Sequence, residues 1–395
     1  MKLFYLANIR MPTEKAHGLQ IMQNCEAFAA HGTQVTLFVA RRFNTAAFRQ
    51  VRDVWDHYGV AKTFAVCRVP CLDLFPILER FSGRLAFALQ TISYLMALCL
   101  ILLFRRADVY YSRDPLTLLV LSAFLPRRKL AYEAHALVNS RLGGWMQGIV
   151  ARRCGVVVAV TAHLAQKLRE RGGIERVNAM TEHDGFRAER FANLPDQSSA
   201  RQQLNLPQDA FLVGYVGRLH TMSMSKGVDT LVDAIAVTQR PMGLCLLGGP
   251  DDMAEQLRAR WQSLGLPTEN FRYLGQVKAA DVPLRLAALD VCAMPLPFTE
   301  HFAYYASPLK LFEYLAAGKA IVASDLPGTA EVVRHGESAL LTPPSDVTAL
   351  AQALQRLYDH AEVRQQLAQQ ARRLADHYTW QARAKRILAA VEATQ

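Results

Sequence analysis

The stretch ASPLKLFEYLAAGKAIVASD, residues 306–325, carries much of the information about the fold. A Ser-Pro pair precedes a mostly apolar run of helical length, Ala-Ala-Gly-Lys is typical of a turn, and AIVAS is typical of a short buried strand. A helix followed directly by an apolar strand is the repeating unit of parallel α/β sheets. One acid, Glu313, lies about one and a half turns inside this predicted helix. A lone carboxylate there needs polar partners, because burying it without them is costly.

The same alternation of apolar strands and helical segments continues through all 395 residues, of which 51% are hydrophobic. That length suits two domains better than a single core. The strands lack polar alternation, as expected for parallel strands covered on both faces. The sequence therefore predicts an α/β protein with two doubly wound, Rossmann-like domains. The predicted strands are Lys2–Ala7, Gln34–Ala40, Phe64–Val69, Asp108–Ser112, Lys129–Glu133, Val156–Thr161, Phe211–Val216, Gly243–Leu247, Phe271–Leu274, Val291–Met294 and Ala320–Ser324.

The boundary between the two domains is predicted in the polar segment FANLPDQSSARQQLNL, residues 191–206. We place the first domain at 1–190 and the second at 200–376. The segment from residue 346 onward is predicted to be helical, with a break near residues 377–379, and 377–395 forms a separate last helix.

The net charge of +11 belongs entirely to the first half of the chain. Residues 1–200 hold 26 Lys and Arg against 15 Asp and Glu, whereas residues 201–395 hold 19 of each. This asymmetry favours an anionic partner for the first half, namely nucleic acid, an acidic substrate or an anionic membrane surface. A solvated basic surface is the equally simple alternative.

The seven cysteines are scattered and show no paired zinc-knuckle spacing, which indicates reduced thiols in a cytoplasmic protein. The amino-terminal MKLFYLANIRMP is a strand that breaks too early for the apolar region of a signal peptide.

An uncharged run of 20 residues, Leu85–Phe104, is long enough to cross a bilayer. Polar residues dilute it, and the strand that follows belongs to the same predicted sheet as the first strand. We therefore expect a helix buried on the sheet. A helix partly exposed as a membrane-surface patch is the second interpretation, and a transmembrane span is the third.

Ligands of open parallel sheets bind beyond the carboxyl ends of the strands. After the strand Phe211–Val216 comes GRLHTMSMSKG, in which Gly217 permits a tight turn and Arg218 and Lys226 flank a loop before a helix. Two cations near a helix amino terminus favour a phosphate or diphosphate. Two exposed loop cations are the simpler reading, because the segment matches neither a Walker A nor a GxGxxG pattern.

The helix of residues 306–325 offers a second anion site. Ser307 and Pro308 are predicted as its N-cap and first residue, so the backbone N–H groups of the first turn are available to an anion, and Lys310 adds charge. A ribose diol attached to that anion would donate two hydrogen bonds to Glu313. Together these groups predict a nucleotide diphosphate site.

These motifs resemble those of the retaining glycosyltransferases of the GT-B group often called family 4, which use nucleotide-diphosphate sugars. The resemblance is carried by GRL…KGVDTLVDAI, GGPDD, YLGQV, LDVCAMP and SPLKLFEYLAAGKAIVASDLPGTAEVV, in that order. It covers nearly all of the second half and extends more loosely through the first, in EKAHGLQIMQNCEAFAAHGTQVTLF, DVYYSRDP, YEAH and VVVAVTAHLAQKL. It implies a central cleft between the domains and a last helix that crosses back to the first domain.

The resemblance also implies roles for individual residues. His135, in the E-x-H element that begins at Glu133, lies beside the donor sugar, and Arg218 and Lys226 bind the diphosphate, so these three are the candidate catalytic residues. The candidate donor-binding residues are Gly18, Gly217, Arg218, Lys226, Ser307, Pro308, Leu309, Lys310 and Glu313.

Three positions depart from the family pattern. The family often has a second Glu eight residues before the position of Glu313, where this chain has Tyr305; Glu300 is the nearest upstream acid, and both are candidates for sugar contact. The loop between Arg218 and Lys226 is longer than usual. The N-G-V-D between the domains is replaced by HDGF, residues 183–186.

The sequence thus predicts a retaining glycosyltransferase that moves a sugar from a nucleotide-diphosphate donor to an acceptor hydroxyl, in cell-envelope, capsular or other glycan biosynthesis. We expect no cofactor, no metal and no nucleic acid partner, a sugar- or lipid-linked acceptor, and a cytoplasmic location, peripheral on the inner face of the membrane through residues 1–190. The alternatives are a GT-B epimerase or phosphorylase, a nucleotide-sugar-binding protein without turnover, and a dinucleotide oxidoreductase, against which the missing GxGxxG counts.

Overall fold

The computed structural model describes residues 1–221 and 223–395, with the side chains of Ala47 and residues 78–81 left undescribed. The chain forms two compact units: Met1–His183 with Trp380–Gln395, and Asp184–Thr379. Each unit is a parallel sheet with helices packed on it, which confirms the prediction of an α/β protein with two doubly wound domains.

The first unit contains a seven-stranded parallel sheet of strand order β3-β2-β1-β4-β5-β6-β7. Its strands are β1 (Lys2–Ala7), β2 (Gln34–Ala40), β3 (Ala65–Val69), β4 (Val109–Ser112), β5 (Leu130–Ala134), β6 (Val156–Ala159) and β7 (Ala179–Thr181). The order reverses at β1, which pairs with both β2 and β4, so the carboxyl ends of β1 and β4 form the topological switch point where ligands of such sheets bind. The helices between these strands are α1 (Ala16–Ala30), α2 (Ala46–Arg49), α3 (Val54–Tyr58), α4 (Phe75–Phe104), α5 (Pro115–Leu121), α6 (Arg141–Arg153) and α7 (Ala162–Gly172).

The second unit contains a six-stranded parallel sheet of order β12-β11-β8-β13-β14-β15 and a separate two-stranded hairpin, β9-β10. Its strands are β8 (Phe211–Val216), β9 (His220–Thr221), β10 (Met224–Ser225), β11 (Met242–Leu247), β12 (Phe271–Tyr273), β13 (Val291–Met294), β14 (Ala320–Ser324) and β15 (Leu340–Thr342). Its helices are α8 (Gln197–Gln203), α9 (Val228–Val237), α10 (Asp251–Ser263), α11 (Val282–Ala287), α12 (Leu309–Ala316), α13 (Pro327–Ala330), α14 (Val347–Asp359) and α15 (Ala361–Ala375). Two apolar clusters pack this sheet, as its unalternated strand sequences require.

The last helix, α16 (Trp380–Glu392), belongs to the first unit and packs beside α1. Its Arg383 is almost fully buried and donates a hydrogen bond to Glu133 at the end of β5, over 2.9 Å. The helix is therefore held by a buried ion pair in addition to its apolar face.

The first unit ends at His183, earlier than the boundary expected in residues 191–206. Phe191 is buried in the core of the second unit, with its ring 5.4 Å from that of Phe186. Arg201 of α8 forms an ion pair of 2.7 Å with Asp290, just before β13. The polar composition of residues 191–206 thus reflects the solvent face of a short helix and its turns, and not a linker.

Helix α4 corrects the expectation of a helix buried on the sheet. Its inner face is buried, but its outer face is exposed and apolar, which fits the second interpretation, a surface patch. By length and composition the part Ser82–Phe104 is able to cross a membrane. However, α4 connects β3 and β4, which lie in one sheet, so a span would separate strands that belong together.

Candidate active site

In the second unit, Arg218 and Lys226 lie at the base of the β9-β10 hairpin. Two pairs of described residues between them, in a segment longer than the family pattern, form this hairpin, and the backbone N–H of Lys226 donates to the carbonyl of Leu219 over 3.0 Å. The hairpin therefore returns Lys226 to the carboxyl end of β8, next to Arg218. Burial and then the charge of Arg218 lower the pKa of Lys226. The structure brings together the two cations that the sequence left in a loop of unknown shape.

Lys310 is a third cation at this site, and it is 8% exposed. Its Nζ lies 3.6 Å from the centroid of the Tyr215 ring, and it has no hydrogen-bond acceptor among the described residues. The pKa of Lys310 lies well below its ordinary value, because burial and then the charge of Lys226 lower it. Glu313 opposes this shift only in part. A buried ammonium without an acceptor is costly, so this position favours binding of an anion.

Glycines allow the backbone to come close at this edge of the sheet. Gly217 has φ of +122°, and a Cβ there would lie 3.4 Å from Lys310 Nζ. Gly248, after β11, has φ of +119°, and its Cβ would lie only 2.1 Å from the carbonyl oxygen of Gly217. The first turns after β8 and β11 therefore pack backbone against backbone beside Lys310.

Glu313 lies on α12 and is partly buried. Burial raises its pKa to about 7, although Arg190 and Lys310 act in the opposite direction. A carboxylate held at such a pKa gains from hydrogen-bond donors that favour its charged form, and two hydroxyl groups of a ribose would supply them. The sequence did not single out Arg190, because it lies in a short 3-10 helix, Ala188–Arg190, far from Glu313 along the chain.

The amino terminus of α12 differs from the prediction. The helix begins at Leu309 with Pro308 at the N-cap position, so the assignment of Ser307 as N-cap and Pro308 as first residue is wrong. The Ser307 Oγ instead accepts a hydrogen bond of 2.8 Å from the backbone N–H of Asp184. This long-range contact takes the hydroxyl that would have capped the helix. The N–H groups of Leu309 and Lys310 still precede the intrahelical ladder and remain suited to an anion.

The two candidate sugar contacts come together in the segment before α12. The Tyr305 hydroxyl donates to Glu300 over 3.2 Å, across one turn of a π-helix, His301–Tyr305. Tyr305 therefore positions the only upstream acid that the sequence offered as a substitute. Burial and Lys226 lower the pKa of His301, which places this histidine beside the cations. His301 was not selected from the sequence, in which nothing distinguishes it from other loop histidines.

In the first unit, His135 lies just beyond the carboxyl end of β5, with 20% of its side chain exposed. Its Nε2 lies 2.8 Å from Oε1 of Glu133. Burial would raise the pKa of Glu133, but Arg383 and His135 hold it well below its ordinary value. An ionised Glu133 requires the proton of the imidazole to be on Nε2. Burial and Arg113 lower the pKa of His135 to about 4, so the ring is neutral and Nδ1 can accept a hydrogen bond.

A small cavity lies beyond β1 and β4, at the switch point of the first sheet. It has a volume of about 180 Å³ and is lined by Asn8, His17, Arg113 and Asp114, among others. Burial, followed by Arg113, lowers the pKa of His17 to about 4. Asp114 is engaged in capping α5, where it accepts from the N–H of Leu116. The cavity therefore offers a guanidinium and neutral polar groups, together with a carboxylate that already accepts a capping hydrogen bond.

Gly18 lies in the first turn of α1, where a Cβ would come within 2.6 Å of both the Thr13 methyl group and the Tyr58 hydroxyl. Packing within the first unit therefore explains why position 18 is a glycine. The proposed contact of Gly18 with the donor stays a prediction.

Glu133 is poorly suited to hold a metal ion. Besides His135, its carboxylate accepts from the Tyr111 hydroxyl over 2.7 Å and from Arg383 over 2.9 Å. The guanidinium already neutralises this carboxylate, which leaves little negative charge on Glu133 for a second cation.

The match to a family model lies within the second unit. Residues 210–360 match the family model described as Glycosyl transferases group 1. A D-inositol 3-phosphate glycosyltransferase of Salinispora arenicola is 32% identical over 195 residues, which cover 47% of this chain and 41% of that protein. A phosphatidyl-myo-inositol mannosyltransferase of Mycobacterium leprae is 32% identical over 203 residues, 51% of each chain. The chain thus spans about half the length of these curated relatives.

The crystal structure of Anabaena Alr3699/HepE in complex with UDP resembles the whole chain, with a TM-score of 0.73, 19% identity and complete coverage of both chains. The same Anabaena protein has also been crystallised with UDP-glucose. Its fold is the two-sheet arrangement found here. Residues 210–360 are therefore similar to the glycosyl transferases group 1 family, and the chain as a whole has the GT-B fold.

Proposed function

We propose that the chain is a retaining glycosyltransferase that uses a nucleotide-diphosphate sugar. The observation that carries this proposal is Lys310, a buried ammonium without a hydrogen-bond acceptor among the described residues. Its charge acts on the same site as those of Arg218 and Lys226, and Glu313 follows it on the same helix. Three cations suit a diphosphate, and the carboxylate behind them suits a ribose diol. The relatives named as glycosyltransferases support the reaction class, and the Anabaena protein crystallised with UDP-glucose supports this choice of donor.

In the proposed reaction, the bond between the anomeric carbon and the diphosphate oxygen breaks, and the acceptor oxygen forms its bond on the same face. The proton of the acceptor hydroxyl goes to the departing diphosphate. Arg218, Lys226 and Lys310 stabilise the negative charge that develops on the leaving group. These protein cations would do the work of a metal ion, so we propose that no metal is required. His135, neutral and with Nδ1 free of a proton, would accept a hydrogen bond from a hydroxyl of the transferred sugar.

We propose that the acceptor binds to the first unit and carries an acidic or lipid-linked group. The Arg113 guanidinium at the switch-point cavity would meet an acceptor phosphate. The relatives named for inositol 3-phosphate and phosphatidyl-myo-inositol act on acceptors of that kind. The excess positive charge of residues 1–200 also fits an anionic membrane on the cytoplasmic side.

A panel of UDP-, GDP- and ADP-sugars tests the proposal. Release of free nucleotide diphosphate, slow without an acceptor and faster with one, is the expected result. A matched pair of acceptors with and without a phosphate tests Arg113. Binding without turnover would favour the alternative of a nucleotide-sugar-binding protein, interconversion of sugars would favour an epimerase, and dependence on inorganic phosphate would favour a phosphorylase.

The variant Lys310→Met tests the site most directly, because it removes a buried charge and keeps an unbranched side chain of similar length. We expect it to bind the nucleotide diphosphate about tenfold to a hundredfold more weakly while folding at least as stably as the wild type. The exposed Lys278, in the same unit, provides a control as Lys278→Met. Normal donor binding by Lys310→Met would contradict the assigned site.

A further inference from the structure

The outer face of α4 has an unusual composition. Every residue from Leu85 to Phe104 that the structure shows as exposed is apolar. The large side chains among them are between 51% and 87% exposed. They recur at the spacing of one helix face. The exposed residues are Leu85, Phe87, Ala88, Ile92, Met96, Leu100, Leu103 and Phe104.

The inner face of α4 carries the polar groups instead. Gln90 and Tyr94 are fully buried, and Thr91 nearly so. The Gln90 amide donates to Asn8 over 2.8 Å, and Asn8 in turn donates to the Thr91 hydroxyl over 3.3 Å. A surface helix of a protein surrounded by water has the opposite arrangement, with its polar groups outward. The outer face of α4 is therefore suited to an apolar environment.

A cationic edge adjoins the carboxyl end of α4. The segments of four residues that precede β4, β5, β6 and β7 lie along one edge of the first sheet, because the amino ends of parallel strands coincide. They contain eight cations against two acids, Asp108 and Glu175. Phe104, the last residue of α4, is followed directly by the first two. The eight cations of this cationic edge are Arg105, Arg106, Arg127, Arg128, Lys129, Arg152, Arg153 and Arg176.

Part of the cationic edge forms an arginine cavity of about 480 Å³, and no acid lines it among the described residues; its lining is Arg127, Ile149, Arg152, Arg153 and Arg176. Two of the guanidinium groups are fixed by backbone carbonyls: Arg127 donates to Cys154 over 3.0 Å, and Arg153 donates to Ser122 over 3.1 Å. Two exposed apolar side chains, Phe124 and Ile174, occupy the same edge of the sheet. Arginines interspersed with exposed apolar groups match the interfacial layer of a bilayer, where phosphates lie above acyl chains.

We propose that the outer face of α4 and the cationic edge together form the surface by which this protein docks on an anionic lipid bilayer. The apolar face lies at the level of the upper acyl chains, and the arginine cavity takes a lipid phosphate. A second copy of the chain fits less well, because a twofold contact through this surface would bring the eight cations of one edge near those of the other.

The docking surface also deepens the proposed function, on which this part of the inference rests. Asn8 lines the switch-point cavity proposed for the acceptor and also contacts α4 through Gln90 and Thr91. The apolar face therefore passes beside the acceptor cavity at one end and reaches the cationic edge at the other. A lipid-linked acceptor held in the membrane would enter beside α4.

Vesicle binding by the full chain tests the surface without requiring turnover. The probes are vesicles of phosphatidylcholine alone and of phosphatidylcholine with phosphatidylglycerol. We expect binding to the anionic vesicles that falls as salt rises. Met96→Glu and Leu100→Glu should each weaken it by about tenfold, because each places a charge where an apolar side chain would be buried. Val237→Glu, at an exposed apolar position of α9 in the second unit, is the matched control and should bind as the wild type.

The variants Arg105→Gln and Arg106→Gln address the charge separately. Each should weaken binding to the anionic vesicles by roughly fivefold and reduce its salt dependence. Unchanged melting temperatures are expected for all these exposed positions. Absence of vesicle binding, or a dimer in solution that Leu100→Glu dissociates, would overturn the proposal. Nucleotide-diphosphate binding, measured on the same preparations, shows separately whether the proposed function has failed.

Discussion

The raised pKa of Glu313 makes the stability of the empty protein depend on pH in a predictable direction. Burial raises this pKa from the ordinary 4.5 to about 7. Because the carboxyl group is harder to ionise in the folded state, folding stability falls as pH rises from 4.5 to about 7 and is constant above that. The full shift corresponds to at most about 3 kcal/mol, since one pKa unit equals about 1.4 kcal/mol and part of the side chain contacts water.

The variant Glu313→Gln removes this cost. Its stability should exceed that of the wild type by up to about 3 kcal/mol at pH 8 and by less than about 1 kcal/mol at pH 5. Melting temperatures of both proteins between pH 5 and 8 measure the difference. Glu300→Gln, at an exposed acid of the same unit, is the control and should follow the wild type. A difference between Glu313→Gln and the wild type that is the same at both pH values would refute the burial argument.

The same ionisation should strengthen donor binding as pH rises, although it lowers stability. The reason is that only the charged carboxylate strongly accepts hydrogen bonds from two ribose hydroxyls. A nucleotide-diphosphate sugar is the suitable probe, since its diphosphate does not titrate in this range. Wild-type affinity should fall by about tenfold per pH unit below 7. Glu313→Gln should bind about 1–3 kcal/mol more weakly at pH 8 and show no such slope. Calorimetry at three pH values is sufficient. An equal dependence of donor affinity on pH in the two proteins would show that Glu313 does not bind the ribose.

Three further predictions concern the remaining charged groups. Arg218→Ala and Lys226→Ala should each weaken nucleotide-diphosphate binding by roughly tenfold to a hundredfold in calorimetry while leaving nucleoside binding nearly unchanged. Normal binding of the nucleotide diphosphate would show that these cations do not contact it. His135→Ala should keep that binding but lower kcat and kcat/KM together, and the wild-type kcat at saturating donor should show no histidine titration between pH 6 and 8, because the pKa of His135 is lowered to about 4. Arg383→Met should lower the free energy of unfolding by about 3–5 kcal/mol, because it leaves Glu133 charged and buried. Adding Glu133→Gln should restore much of that loss in denaturant titrations, and a merely additive double variant would show that the two side chains are not coupled.

The sequence could predict the central strands because their signal is local. Continuous apolar runs such as Phe211–Val216 and Val291–Met294 appear in the structure with the predicted bounds. The hairpin between Arg218 and Lys226 was not predicted, since its strands have two residues each in a polar segment. Short strands at the sheet edges, such as Ala179–Thr181, are equally weak as local patterns.

The candidate site was predictable where one element supplies both the position and the chemistry, as α12 does for Lys310 and Glu313. It was not predictable where the partner comes from a distant element. The Ser307 hydroxyl has a local signature for capping, yet the backbone of Asp184 engages it. Arg383 is likewise an unremarkable helix residue until folding places it beside Glu133.

The position of Arg383 has a consequence for how the protein is made. During synthesis, residues 1–183 leave the ribosome long before α16, and their Glu133 then lacks its ion pair with Arg383. The carboxylate must stay hydrated or protonated, so the nascent first unit remains incomplete around β5. The intervening residues 184–379 contain all of the strands of the second unit, so this unit is fully synthesised before α16. Although vectorial synthesis presents the basic half earlier, that half would be the last to reach its final packing, and a chain that loses its final 16 residues would expose this defect to proteases.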